Sequence, residues 1–208
     1  VDALTSLTLP LTLFCGILVS LSFARDYEQG LMQTLLSLPI SRASIFVVKF
    51  VAVVVPLTVI AWSTTFFVTA LNFYSDTNTL ITVFSHAIWA LPIILLALMF
   101  YAGMASMISL ATRKTVPAAL ITLLTSFFVG FISMLPERTI GALANYLIFT
   151  PYKAPSVALG RIIGMRYLPD AIENTVSPWV MLGLLIFYSV VLLVPTYLYF
   201  TKKFEVKE

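Results

Sequence analysis

Apolar residues run along this chain in five long blocks, each free of acidic side chains: Leu4 to Phe23, Ile45 to Phe73, Ile81 to Ala111, Val116 to Leu135 and Trp179 to Phe200. A bilayer core about 30 Å thick needs roughly 20 apolar residues per helix, and without water the backbone must satisfy its own N–H and C=O groups. The pattern predicts an all-α membrane protein with five transmembrane helices in one domain over residues 1–208. Apart from Tyr and Cys, Lys49 and His86 are the only titratable side chains inside the blocks, and both lie near block ends. Lys49 can snorkel to the interface along its aliphatic stem, and His86 reads as interfacial.

Two of the polar breaks are short. Ser75-Asp76-Thr77-Asn78-Thr79 joins the second and third blocks, and Thr112-Arg113-Lys114-Thr115 joins the third and fourth, with Pro117 in the first turn of the next helix, where its missing N–H costs little. The connection Pro136 to Pro178 is 43 residues long and holds two apolar stretches too short to span, Ile140 to Phe149 and Pro155 to Met165. It predicts re-entrant or interfacial helices, with Tyr146, Phe149, Tyr152, Tyr167 and Trp179 at headgroup level; the plainer alternative is an irregular loop lying on the membrane. Glu137, Arg138, Arg161 and Asp170 read there as solvated charges.

The break between the first two blocks has a pattern of its own. From Arg25 to Arg42, at about 100° per residue, Leu31, Met32, Leu35, Leu36 and Leu38 fall within an arc of roughly 160°, opposite Gln29, Gln33, Thr34 and Ser37. This predicts an amphipathic helix over 26–38 at the membrane surface. Asp26 and Glu28 stand at its start, where negative charge complements the helix dipole. Pro39 ends it, and Ser41 offers an N-cap hydroxyl to the next helix.

Composition agrees: 60% of residues are hydrophobic and 10% charged, where a soluble domain carries roughly a quarter charged. Charge adds orientation. Arg25, Arg42, Lys49, Arg113, Lys114, Lys202, Lys203 and Lys207, eight of the twelve basic residues, fall on one side, which the positive-inside rule makes the cytoplasm, with the C-terminus in it. Arg138, Lys153, Arg161 and Arg166 fall on the other. The net charge of +3 restates this bias; no nucleic-acid motif accompanies it and nucleic acid is not an expected partner. Cys15, the single cysteine, excludes an internal disulfide. With five spans, Val1 falls outside; the chain opens on a span with neither Met nor a basic n-region, so a further N-terminal piece is expected ahead of it.

Inside the blocks, Ala102, Ala105, Ser106 and Ser109 have the small-xxx-small spacing that lets helix backbones approach. Hydroxyls recur at Thr58, Ser63, Thr64, Thr65 and Thr69, and at Thr122, Thr125 and Ser126; they either line a polar path or bond their own helix carbonyls. Prolines stand within four blocks at Pro10, Pro56, Pro92 and Pro195.

In register, Glu28, Gly30, Met32, Leu35, Leu36, Ser37, Pro39, Ile40, Ser41, Arg42, Ile45 and Lys49 resemble the acidic-x-Gly-Thr-Leu-x-x-Leu-Leu-Ser-x-Pro-Val-Ser-Arg pattern of ABC exporter permeases of the type-2 class. Leu31 stands where that family commonly has Thr, and Thr34 where it often has Leu. The layout is similar too: a long extracytoplasmic segment before the last span, short connections and a basic tail. The resemblance implies six spans, the first lying ahead of Val1, and makes the surface helix a coupling helix seated in a groove of a cytoplasmic ATPase. Its docking residues would be Asp26, Glu28, Gln29, Gly30, Gln33, Ser37, Pro39 and Arg42, with the apolar arc packed on the protein's own helices. Two ATPase copies and a second permease subunit, identical or not, are implied, in the plasma membrane.

No G-x-x-x-x-G-K-[ST] phosphate loop occurs in the sequence. The chain is therefore expected to be no enzyme and to bind no cofactor or metal, with ATP and Mg held by the partner ATPase. An ion-coupled transporter generally places an ionisable residue near the bilayer midplane, and no Asp or Glu lies within a block. A lipid-modifying enzyme would need a catalytic constellation that one His and one Cys do not form. A non-transporting anchor for a cytoplasmic partner would use the same surface helix.

Overall fold

The computed structural model describes residues 2–72, 77–134, 146, 149–163 and 177–203. Every element among them is helical. The first helix, α1 (Asp2–Ser20), continues through a π-helical turn, Leu21–Arg25, into the single turn α2 (Asp26–Glu28), with Ser20 and Asp26 both in right-handed helical conformation. Gly30, at φ 73, turns the chain into α3 (Leu31–Ser37). Only a residue without a Cβ adopts that left-handed conformation at no steric cost.

Leu38 is extended, as a residue preceding proline should be, and α4 (Arg42–Asn72) follows. Its N-cap is Ser41, whose Oγ accepts the Ser44 N–H at 3.1 Å. Then come α5 (Thr77–Thr112), α6 (Thr115–Met134), α7 (Ala154–Ile163) and α8 (Pro178–Leu198), the last running into a second π-helical turn, Tyr199–Lys203. Among the described residues three stretches are long and apolar enough to cross a membrane, Arg42–Phe67, Ile88–Thr112 and Pro178–Lys202, and Thr115–Phe131 is a shorter apolar helix. The protein is an all-α membrane protein.

The surface helix expected as one piece from 26 to 38 is two pieces broken at Gly30. The dipole argument for Asp26 fails with it: α1 runs unbroken into α2, so Asp26 faces no free helix N-terminus.

Packing centres on α5, which touches α1, α4, α6, α7 and α8. Ala102, Ala105 and Ser106 are fully buried and Ser109 nearly so. Gly103, not singled out by the small-residue spacing, marks a close approach of α5 to α8: a Cβ there would lie 3.2 Å from Leu193 Cγ and 3.3 Å from Leu192 Cβ. Gly16 does the same between α1 and α6, where a Cβ would stand 2.6 Å from Thr122 Cγ2. Between helices, Ser189 Oγ donates to the Leu96 carbonyl at 3.1 Å and Ser20 and Thr122 share a hydroxyl contact of 3.4 Å.

Several span hydroxyls, Thr122 among them, also bond within their own helices. Thr58, Ser63, Thr64, Thr65, Thr122 and Thr125 each donate to the carbonyl four residues earlier, at 2.7–2.8 Å. Pro10, Pro56, Pro92 and Pro195 are accommodated inside helices.

At the end remote from α3, α7 seats the buried Ala154 and Ala158 against α5 and α8, and Tyr188 Oη donates to the Phe149 carbonyl at 2.9 Å. α7 falls on the second of the two short apolar stretches. Most of the first, Ile140 to Phe149, lies outside the described residues, as do Glu137, Arg138, Asp170 and the side chains of His86, Arg161 and Thr69.

Candidate functional site

Leu31 to Ser37 is too short a helix to hold itself in water, so α3 must be fixed by what it touches. Met32 is fully buried, and Leu35 and Leu36 pack beside it against the core. The remaining apolar side chains of the segment face outward: Leu31 is 48% exposed, Leu38 44% and Ile40 51%. Gln29, Gln33, Thr34, Ser37, Pro39, Ser41 and Arg42 are exposed around them. The apolar arc, expected to pack wholly on the protein's own helices, is therefore divided: Met32, Leu35 and Leu36 face the core, and Leu31 and Leu38 at its edge face outward. A mixed apolar and polar surface results.

The carboxylates do not join that surface in the same way. Asp26 is part-buried and paired with Lys49 of α4, whose ammonium also donates to the Ser22 carbonyl at 2.7 Å in the first π-helical turn and lies 5.8 Å from the Phe23 ring. Lys49 turns to a carboxylate and a carbonyl that the chain supplies. Expected on the outer docking face, Asp26 is directed inward, since the continuous α1–α2 helix fixes its azimuth. Glu28 is exposed and accepts the backbone N–H of Thr115, at the start of α6, at 3.0 Å. The adjacent Thr115 hydroxyl and N–H, with the charge of Lys114 behind them, hold the Glu28 carboxyl below its ordinary value.

Tyr27, between the two carboxylates, meets a third element. Arg113, in the turn between α5 and α6, donates to Tyr27 Oη at 3.0 Å and lies 5.2 Å from the Tyr27 ring centroid. The Arg113 side chain also hydrogen-bonds Tyr199 in the second π-helical turn; the Tyr199 and Tyr27 contacts raise the guanidinium above its ordinary value. Below them, Phe23 packs on Phe46 at 5.4 Å and edge-on to Phe200 at 6.2 Å, and Phe46 meets Tyr197 at 5.7 Å. Both π-helical turns thus bring a phenylalanine, Phe23 and Phe200, into one buried aromatic cluster with α4.

Of the expected site residues, Gln29, Gln33, Ser37, Pro39 and Arg42 share the exposed face with Glu28 at its margin, Gly30 acts through its backbone, and Asp26 is set apart on Lys49. Ala102, Ala105, Ser106 and Ser109 lie elsewhere, within the bundle. Sequence reasoning assigned Tyr27 no role and did not connect Arg113, Thr115 and Tyr199 with this segment. Arg113 carried one signal, a basic residue in a four-residue turn, but that signal reads as topology until the fold brings the turn beside α2.

A short amphipathic element pinned to the base of a helical membrane bundle, exposing a mixed surface, can receive a partner and pass its movement on. A family model described as ABC-2 family transporter protein matches residues 4–203, and the site falls inside that match. No curated protein and no solved structure matches the chain. The chain belongs to the ABC-2 family of transporter proteins, membrane permeases of ABC transporters.

Proposed function

We propose that this chain is the permease subunit of an ABC exporter and that α3 with its flanks receives a cytoplasmic ATPase. The observation that carries the reading is the exposed cluster of Leu31, Leu38 and Ile40 on an element fixed to the bundle from behind. Apolar side chains exposed beside glutamines, a serine and an arginine suit the rim and floor of a protein interface. Gln29, Gln33, Ser37, Pro39 and Arg42 form the polar part of the contact. Glu28 borders it, and Asp26 supports it through Lys49.

In this reading the end of the bundle bearing Arg25, Arg113, Lys114 and Lys202 faces the cytoplasm of the cell, with the C-terminus on the same side. ATP and its Mg stay on the ATPase, and closure of two ATPase copies moves two permease subunits, identical or different, between inward-open and outward-open states. The element ahead of α8 then stands at the outer mouth of the path. The substrate class is set by residues of that path and not by the docking element.

The test is co-purification from the native membrane. The wild-type chain brings down an ATPase whose hydrolysis rises in its presence. The double variant Leu31→Glu, Ile40→Glu loses it, because each apolar side chain buried at an interface contributes up to ~1.5–3 kcal/mol, or roughly tenfold or more in affinity. Wild-type complexes without an ATPase overturn the reading in favour of a non-transporting membrane anchor, and a double variant that keeps one overturns the docking surface.

A further inference from the structure

Arg113 stands in a conformation that its own side chain makes costly. Its φ is 56, and it is the one non-glycine residue with positive φ among those described. Its N–H still bonds the Ser109 carbonyl at 3.0 Å, so it closes α5 as a glycine or asparagine usually does. A residue with a Cβ in left-handed conformation persists where its surroundings over-determine it, and such outliers point to function. Here the surroundings are visible: the guanidinium reaches Tyr27 of α2, by ring and hydroxyl, and Tyr199 at the foot of α8.

Residues 26, 27 and 28 each meet a different element. Asp26 holds α4 through Lys49, Tyr27 holds the α5–α6 turn and α8 through Arg113, and Glu28 holds the first residue of α6. One helical turn therefore gathers the feet of α4, α5, α6 and α8. Asp26 and Glu28 each make one connection, whereas Arg113 makes two and reaches across the bundle. Its planar, always-charged guanidinium suits this, since it stacks on one ring while donating to two hydroxyls.

We propose that Arg113 is a positioning residue for transport: it clamps the docking element to the feet of α5, α6 and α8, so that the element and the bundle move as one body. The inference rests on the functional reading above, because it assumes a partner that moves the element. Without the clamp, the docking element is tied only to α4 and α6 and shifts against α5 and α8, the ATPase still binds and hydrolyses ATP, and α8 does not follow.

Two measurements separate this idea from the reading it rests on. The first uses the permease alone in nanodiscs, with Cys15→Ala and spin labels at the exposed Gln33 and Leu198, on α3 and α8. The expected result is one narrow distance distribution with Arg113, and loss of the narrow peak in Arg113→Asn. Asparagine tolerates the left-handed conformation, so the turn persists and only the clamp is removed. Tyr199→Phe, which deletes one hydrogen bond, gives a partial loss and serves if Arg113→Asn does not fold. A narrow, unshifted peak in Arg113→Asn, or in Tyr199→Phe should the former not fold, overturns the clamp.

The second uses the unlabelled complex with its ATPase. Arg113→Asn keeps the ATPase and its hydrolysis, but loses the ATP-dependent change in amide exchange of α8 that the Arg113 complex shows. A variant complex whose α8 responds as the wild type overturns the inference. Failure of any ATPase to co-purify with the wild-type chain removes the functional reading and leaves the distance result standing on its own.

Discussion

The middle of the bundle and its basic end are held together by different kinds of contact. In the bundle the helices meet through small side chains and through Gly16 and Gly103, and six of the hydroxyls donate to carbonyls of their own helices. Packing in a membrane interior depends on such close approach, since lipid tails supply no hydrophobic drive between helices. At the basic end, by contrast, a carboxylate–ammonium pair, a guanidinium between two phenols and a carboxylate on a helix N-terminus fix a water-exposed segment. The first region is held by shape; the second is held by charge and hydrogen bonds. A transporter needs both, one part that can change and one that reports a partner's movement faithfully.

The sharpest way to break this comparison is to loosen the basic end from within. Met32 is the one fully buried side chain of α3, and truncating a buried Met to Ala costs about 2–5 kcal/mol. Met32→Ala is expected to free α3 while the spans stay folded, read as faster amide exchange over 31–37 with unchanged exchange in α5. Equal loosening of both would show that the two regions are one cooperative unit.

The next effect lies in the bundle. Gly16→Ala sets a methyl 2.6 Å from Thr122 Cγ2, and Thr122 is buried and bonded to Ala118, so it cannot simply turn aside. Overpacking of this kind costs about 1–3 kcal/mol. Gly183 has nothing within 4 Å of a Cβ, so Gly183→Ala should be neutral or gain up to ~1 kcal/mol in helix propensity. Thermal unfolding in detergent should therefore order the proteins Gly183→Ala, wild type, Gly16→Ala, and a reversal would remove the close-approach account of α1 and α6.

How far the sequence reaches divides along the same line. The apolar blocks announced the long helices because hydropathy is a property of each block alone. The N-cap at Ser41 and the bonding of the span hydroxyls to their own carbonyls were legible for the same local reason. The break at Gly30 was hidden because the apolar arc begins only at Leu31 and depends on spacing, not on φ. The inward turn of Asp26, the two-way contact of Arg113 and the seat of Glu28 depend on residues 23, 86 and 87 positions away in the chain. No periodicity records such separations. Gly103 escaped because a small-xxx-small pattern marks faces, and the close approach to α8 fell one residue beside it.

A smaller effect sharpens the ionic side. Asp26 and Lys49 are each only part-buried, which leaves a charge-assisted contact of about 1.5–2 kcal/mol. Asp26→Asn and Lys49→Met should each raise exchange in α2 and α3, and the double variant should cost less than the sum of the two. Additive costs would mean that the pair does not couple α2 to α4.

Glu28 should show the smallest effect, and its sign is set by the direction in which its carboxyl is shifted. The Thr115 hydroxyl and N–H and the Lys114 charge favour the ionised form, so the folded protein binds this proton less tightly than the unfolded chain, whose value is about 4.3. The contribution is then fully present above that unfolded value and is lost as pH falls through the lower folded one. Glu28→Gln keeps an oxygen that can accept the Thr115 N–H and removes only the charge. Wild type and variant should differ by a small constant amount from neutral pH down to about 5 and converge in more acidic solution, measured as unfolding temperature against pH. Because the side chain stands in solvent, salt should shrink the same difference at neutral pH. A gap that widened on acidification would mean that Glu28 is held in its neutral form, its O–H given to an acceptor while its carbonyl oxygen keeps the N–H of Thr115.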